Sequence, residues 1–195
     1  MSVKSFRVVY CERVEIEDFI VKNHYSGSIN GCDTAYCFRL MDGSQIIGAA
    51  FFGRLAMANQ WKRFGDNAMD VIELRRLCCI DNTPRNTESY FIGSMLRWLK
   101  NNTHHKIVVS YADEEHGHIG TIYKASNFQY LGKQKGAKVI VYNGKQYHDK
   151  TIRTKHNGIV KPYGQKIIDA LSVGQAFYKE TAGKHTYIYR LKNAS

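Results

Sequence analysis

Acidic residues become scarce in the last third of this chain. From position 133 onward 13 Lys and Arg face 3 Asp and Glu, whereas the residues before it carry 15 against 14, so nearly all of the net charge of +11 is local. A charge run is by default a solvated face, but a surplus confined to one segment favours a polyanionic partner, nucleic acid before membrane. No amphipathic lipid-binding helix accompanies the cations. Long apolar runs are missing too: none approaches the roughly 20 residues needed to cross a bilayer. The opening MSVKSFRVVYCERVE is interrupted by charges, unlike a signal peptide, so the expected compartment is the cytoplasm. The five cysteines (Cys11, Cys32, Cys37, Cys78, Cys79) are odd in number and lack the CxxC spacing of a zinc site, which leaves reduced thiols, with Cys78 and Cys79 filling a strand. Internal repeats and low-complexity tracts are absent. A chain of 195 residues suits one domain with an appendage.

The apolar pattern orders the elements. Positions 5–10 alternate as a first strand, and 15–24 carry Ile16, Phe19 and Ile20 at helical spacing. Positions 35–40 and 45–52 flank Met41-Asp42-Gly43-Ser44, where Asp-Gly marks a hairpin turn. A strand over 71–80 leads through Asn82-Thr83-Pro84-Arg85-Asn86-Thr87, with Asn86 or Thr87 available as a cap, into a helix over 90–100. That helix presents Ile92, Met95, Leu96 and Leu99 as its buried stripe. Strand 106–113, helix 119–126, a strand over 128–142 with a polar middle, and a last strand over 185–191 follow. The intervening 143–184 reads as a basic insertion with one helix over 165–170, too short and polar for a core of its own.

The stretch 110–132 carries the densest chemistry. Ile107, Val108 and Val109 need burial on both faces, and the polar residues begin where that strand ends. Ligands of open α/β sheets sit at the carboxyl ends of strands, where Asp113, Glu114, Glu115, His116 and His118 would be delivered, with Tyr123 on the next helix. A solvated loop is the plain alternative. His116 and His118, near Asp113 and Glu115, could hold a metal, although no metal site is assigned; His104-His105 are expected to face solvent. His24 and Tyr25 follow a helix in a Gly-containing turn, where His24 either exchanges a proton or interacts with the helix end. Glu73 and Arg75 share one strand face and either line a polar cavity or satisfy each other. Gln60-Trp61-Lys62-Arg63-Phe64-Gly65 interleaves aromatics with cations: Trp61 or Phe64 offers a wedge or stacking face, unless Trp61 merely packs its loop.

The order of elements resembles the GNAT acetyltransferase superfamily at two places. A strand leads into a phosphate-cradling loop and helix over 71–98, and Ser110-Tyr111-Ala112-Asp113, Tyr123-Lys124-Ala125-Ser126 and Asn127-Phe128 fall in the matching order. The resemblance implies an α/β (α+β) fold with a mixed, mostly antiparallel central sheet flanked by helices. It also implies acetyl-CoA or another CoA-type donor, held by Leu77 and Cys79 on the strand and by Arg85, Asn86, Thr87 and Ser89 in the loop. The loop departs from the superfamily at Glu88, which stands where a glycine is usual and whose charge opposes a phosphate.

A narrower set of blocks resembles the bacteriophage Mom DNA-modification family. These are His24-Tyr25-Ser26-Gly27, Glu73-Leu74-Arg75-Arg76-Leu77, Ser110-Tyr111-Ala112-Asp113 with His118-Ile119-Gly120-Thr121-Ile122-Tyr123, and Lys184-His185-Thr186-Tyr187-Ile188-Tyr189. That resemblance implies an enzyme converting adenine in double-stranded DNA to N6-carbamoylmethyladenine, in the cytoplasm of the infected host, as a shield against restriction. Its site would draw on His24, Tyr25, Arg75, Asp113 and Tyr123. Flipping a base out of the duplex calls for phosphate contacts, here Lys62, Arg63, Lys145, Lys150, Arg153, Lys155, Lys161 and Lys166, and for an aromatic face such as Trp61. An acetyl-CoA-dependent N-acetyltransferase acting on a protein or small amine is the alternative. Whether the chain is a monomer or a homodimer stays open.

Overall fold

Two adjacent phenylalanines show how the sheet is used. Phe51 and Phe52 are both fully buried, in different core clusters, because successive strand residues point to opposite faces and both faces are covered. In the computed structural model, which describes residues 3–191, the chain runs β1 (Arg7–Cys11), α1 (Glu17–Asn23), β2 (Tyr36–Asp42), β3 (Gln45–Gly53), β4 (Val71–Cys79), α2 (Thr87–Asn102), β5 (Ile107–Asp113), α3 (Thr121–Ala125) and β6 (Gln129–Gln134). It continues through β7 (Lys138–Tyr142), β8 (Lys145–His148), α4 (Asp149–Arg153), β9 (Lys155–His156), β10 (Ile159–Val160), α5 (Pro162–Ser172), β11 (Phe177–Glu180) and β12 (Lys184–Arg190). Within the described residues two compact units form: 3–112 with 118–132 and 185–191, and 113–117 with 133–184.

The large sheet has the order β1-β2-β3-β4-β5-β12-β6. Strands β1 to β4 pair antiparallel and β4 pairs parallel with β5, so the sheet is mixed and mostly antiparallel, as expected. Helix α2 buries Phe91, Ile92, Met95, Leu96 and Leu99 against Phe38, Leu40, Phe52, Ile72 and Val108, each such side chain contributing about 1.5–3 kcal/mol. Ile16 and Ile20, from the α1 region, pack with Ile29, Cys37 and Phe51 in a separate cluster. All five cysteines are free. Burial pushes the Cys78 thiol up to about 12, which keeps it protonated and inert at neutral pH.

Three expectations change. The strand expected over 128–142 is two strands in two sheets, because the polar residues 133–136 offer no apolar face to continue on. His105 is buried, not solvent-facing, and its Nδ1 lies 2.8 Å from the Met69 carbonyl oxygen. The basic segment does have a core: Ile140, Ile152, Ile167, Ala170 and Ala176 are buried together beneath the three-stranded sheet β11-β7-β8 and helices α4 and α5.

Both ends of this second unit are tied by charge. Asp113 pairs with Lys184 at 2.8 Å, Glu114 with Lys133, and Glu115 with Lys179. Glu115 also accepts the Ala182 N–H at 2.8 Å. The Lys179 ammonium, followed by that N–H, holds its carboxyl down to about 2. A depressed carboxylate stabilises the fold above its ordinary pKa, and that contribution disappears as pH falls through the folded value. Thermal melts from about pH 5 to about pH 2 should therefore show a smaller loss of stability in Glu115→Gln than in wild type; equal losses would contradict the clamp.

Candidate active site

The site begins where a ladder stops. Parallel pairing of β4 with β5 runs from Val71–Ile107 to Leu74–Ser110, yet β4 continues to Cys79, so beyond Leu74 the edge facing β5 is unpaired along the ladder. On the other side of β4 the register skips one residue: Phe51 faces Arg76 and Phe52 faces Leu74. Arg75 is thus the extra residue of a β-bulge, a device that re-aims side chains next to functional clefts.

The bulge gives two consecutive arginines different tasks. Arg75 lies 3.5 Å from Glu73, both side chains nearly buried, and donates from Nη1 to the Arg54 carbonyl at 2.6 Å, while its Nε is buried without a hydrogen-bond partner. Arg76 donates from Nε to Ser26 Oγ at 3.1 Å and from Nη1 to the Arg75 carbonyl. Ser26 Oγ also lies 2.9 Å from His24 Nδ1. An unsatisfied buried donor such as Arg75 Nε suits a ligand carbonyl or anion.

His24 ends α1 as its C-cap and is buried. The Ser26 backbone N–H donates to His24 Nδ1 at 3.1 Å, which assigns the neutral ring to the Nε2–H tautomer, a hydrogen-bond donor at Nε2 and not a base there. Tyr25, half exposed, has its ring centroid 4.2 Å from that of His24 and 5.2 Å from that of His118, tilted against both.

Tyr123 is buried on α3. Burial pushes its hydroxyl up to about 12; the hydrogen bond with Ser110 opposes this, and Tyr25 and Glu73 reinforce it. Ser110, fully buried at the last paired position of β5, directs its own proton to the Leu74 carbonyl at 3.3 Å. Tyr123 is therefore protonated at neutral pH and suited to give a proton, not to take one. Gly120 caps α3 with φ +79°, and a Cβ there would stand 2.2 Å from the Tyr187 ring.

His24, Tyr25, Arg75 and Tyr123 thus lie in one network with Glu73, Ser110, Arg76 and Ser26. Asp113 falls in the other unit: one oxygen pairs with Lys184 and the other accepts the Glu115 N–H at 3.2 Å. Among the described residues no group of three or more His, Cys, Asp or Glu converges as a metal site. Leu77 and Cys79 are half-buried on the unpaired part of β4. Asn86, in the left-handed conformation, precedes α2 without a side-chain cap. The Thr87 hydroxyl donates to the Pro84 carbonyl and that of Ser89 to the Asn86 carbonyl, while Arg85 is exposed. Of the aromatic loop, Phe64 is a core residue packed with Val71, Ile107 and Ile188, so it is no wedge; Trp61 packs partly against the same cluster, and Lys62 and Arg63 are exposed. Lys145, Lys150, Arg153, Lys155, Lys161 and Lys166 are all exposed in the second unit. Ser26, Arg76 and Ser110 were not singled out from sequence. Two adjacent arginines inside a strand were the available signal, because both can be polar and half-covered only at a bulge.

A mostly antiparallel sheet flanked by helices, in which β4 and β5 pair parallel only as far as Leu74 and Ser110, is a GNAT-like fold. Solved acetyltransferases agree in fold. The ribosomal-protein-S18-alanine N-acetyltransferase of Escherichia coli superposes with a TM-score of 0.56 at 7% identity, covering 97% of this chain and 96% of that one. A Bacillus subtilis acetyltransferase in complex with CoA gives 0.55 at 11%, covering 96% and 99%, and Arabidopsis thaliana NAA60 in complex with acetyl-CoA gives 0.53 at 10%, covering 95% and 98%. The chain belongs to the Mom protein family, which it matches over residues 5–195. The methylcarbamoylase mom of Escherichia phage Mu is 30% identical over 125 residues, 61% of this chain and 50% of that protein; the match thus spans about half the length of that relative.

Long-range 15N–1H NMR of the neutral protein should show His24 as the Nε2–H tautomer; an Nδ1–H ring would refute the assignment. Gly120→Ala should cost about 2 kcal/mol or more in a denaturant titration, from positive φ together with overpacking; an unchanged midpoint would contradict the contact with Tyr187.

Proposed function

We propose that this protein is a phage DNA-modification enzyme that converts adenine in double-stranded DNA to N6-carbamoylmethyladenine in the cytoplasm of the infected host, shielding phage DNA from restriction. The observation that carries the reading is the convergence, in a chain of the Mom family, of His24, Glu73, Arg75 and Tyr123 from three separate sequence blocks onto the splayed end of β4 and β5. The surplus of cations after position 133 supports a polyanionic substrate.

Adenine N6 is held in the base pair and conjugated with its ring, so the base has to be extruded before it reacts. In the pocket, Tyr123 supplies the proton for a leaving group, His24 donates a hydrogen bond from Nε2, and Arg75 Nε fixes a carbonyl or anionic part of substrate or donor. Tyr25 is the exposed ring against which a flipped base stacks. Asp113, with both oxygens engaged, is read as an anchor of the second unit in place of a base.

A CoA-type donor is proposed at class level and fits in part. The unpaired edge of β4 beside Leu77 and Cys79 suits its extended arm, and the N–H groups at the start of α2, with Arg85 nearby, suit an anion. Glu88 does not suit its pyrophosphate: the carboxylate lies close enough to Cys79 to raise that thiol further after burial. Such a donor supplies an activated two-carbon unit when bound. Acyl transfer alone would join N6 to a carbonyl carbon, whereas the proposed product is joined through a methylene and carries one more nitrogen, so simple acetyl transfer is not the whole reaction.

Nucleoside mass spectrometry of plasmid DNA co-expressed with the protein should reveal a heavier deoxyadenosine, reduced about 100-fold or more by Tyr123→Phe. Unmodified DNA from well-expressed wild type in several hosts would sink the reading. Acetyl-CoA turnover on a protein or small amine without DNA would establish the N-acetyltransferase reading instead.

A further inference from the structure

We propose that the β9–β10 hairpin is a DNA wedge, with Ile159 entering the duplex to hold the place of an extruded base and Lys155, Lys161 and Lys166 on the flanking phosphates. The inference rests on the reading of this chain as an enzyme of double-stranded DNA. The hairpin pairs Ile159 with His156 and Val160 with Lys155. Its two-residue turn is Asn157-Gly158, with φ of 50° and 78°, the left-handed pair that a type I′ turn requires.

One side of the finger is anchored and the other is bare. Val160 is half-buried and reaches Gly164 at the start of α5, where a Cβ would stand 3.1 Å from Val160 Cγ1 and 2.3 Å from the Ile152 carbonyl oxygen. Only glycine lets α5 come this close to the end of α4, and Val160 at the base of the hairpin packs against the start of α5. Ile159, the next residue toward the tip, points the opposite way and is 73% exposed. A β-branched apolar side chain left in water at the tip of an anchored hairpin contributes nothing to the core, and inserted apolar side chains are how DNA-bending and base-extruding proteins unstack a step.

Charge around the tip fits the same partner. Between Asp149 and Asp169 there is no acidic residue, while Lys150, Arg153, Lys155, Lys161 and Lys166 all fall there. Arg153 is held by Asp149 at 2.9 Å, which leaves the lysines for phosphates. The aromatic loop at Trp61 does not compete for this role, since Phe64 is buried and Trp61 packs beside it.

The test compares wild type with Ile159→Ser, Ile159→Leu and the double variant Lys155→Glu/Lys161→Glu. Modification is read by mass spectrometry of co-expressed plasmid, duplex binding by fluorescence anisotropy on a mixed-sequence DNA, and folding by thermal melts. Ile159→Ser should cut modification about ten-fold or more while binding changes less than about two-fold, Ile159→Leu should keep most activity, and the double variant should lose binding. Ile159→Ser with wild-type modification, or with binding lost in parallel, would overturn the wedge alone. A wild type that leaves DNA unmodified would overturn the parent reading, and the wedge with it.

Discussion

The structure depends on one interrupted interaction, the parallel pairing of β4 with β5 that ends at Leu74 and Ser110. Backbone groups past that point cannot satisfy one another across the gap, and buried main-chain donors and acceptors are expensive to leave unpaired. The residues at the fork respond accordingly. Ser110 gives its proton to the Leu74 carbonyl, Tyr123 bonds to Ser110, and the bulge at Arg75 turns one arginine to Glu73 and the next to Ser26. The arrangement of these side chains is therefore a consequence of where the ladder stops.

A second constraint is electrostatic. The acidic run Asp113-Glu114-Glu115 at the end of β5 looks reactive in isolation, yet each carboxylate meets a lysine from a returning segment, Lys184, Lys133 and Lys179. The clamp gives those lysines a structural task and confines the free positive charge of the second unit to residues such as Lys145, Lys155, Lys161 and Lys166. Division of labour by charge lets one short basic segment fold while keeping other lysines exposed.

Much of the fold was legible from local signals. The Asp-Gly turn between β2 and β3 appears where Asp42-Gly43 stands, and the stripe Ile92, Met95, Leu96 and Leu99 is buried as its spacing requires. The core of the second unit was not legible, because Ile140, Ile152 and Ile167 belong to different elements and meet only when the chain folds. Asn157-Gly158 carries the same kind of hairpin signal as Asp42-Gly43 but lies in a basic stretch with little apolar alternation around it. In the candidate site, His24, Arg75 and Tyr123 could be proposed from residue type and position, and the structure places them in one network. Ser26 and Arg76 could not be, since their significance lies in a contact across 50 positions.

By itself the sequence determined the order of elements as far as α3, the lopsided charge and the candidate chemistry, because these follow from periodicity, turn residues and composition along the chain. Only the tertiary structure decided which groups are free to act. That Asp113 pairs with Lys184, that Phe64 is buried with Val71, Ile107 and Ile188, and that Arg76 reaches Ser26 all depend on partners distant in sequence. Burial and pairing, the two quantities that set protonation and availability, exist only once those partners meet.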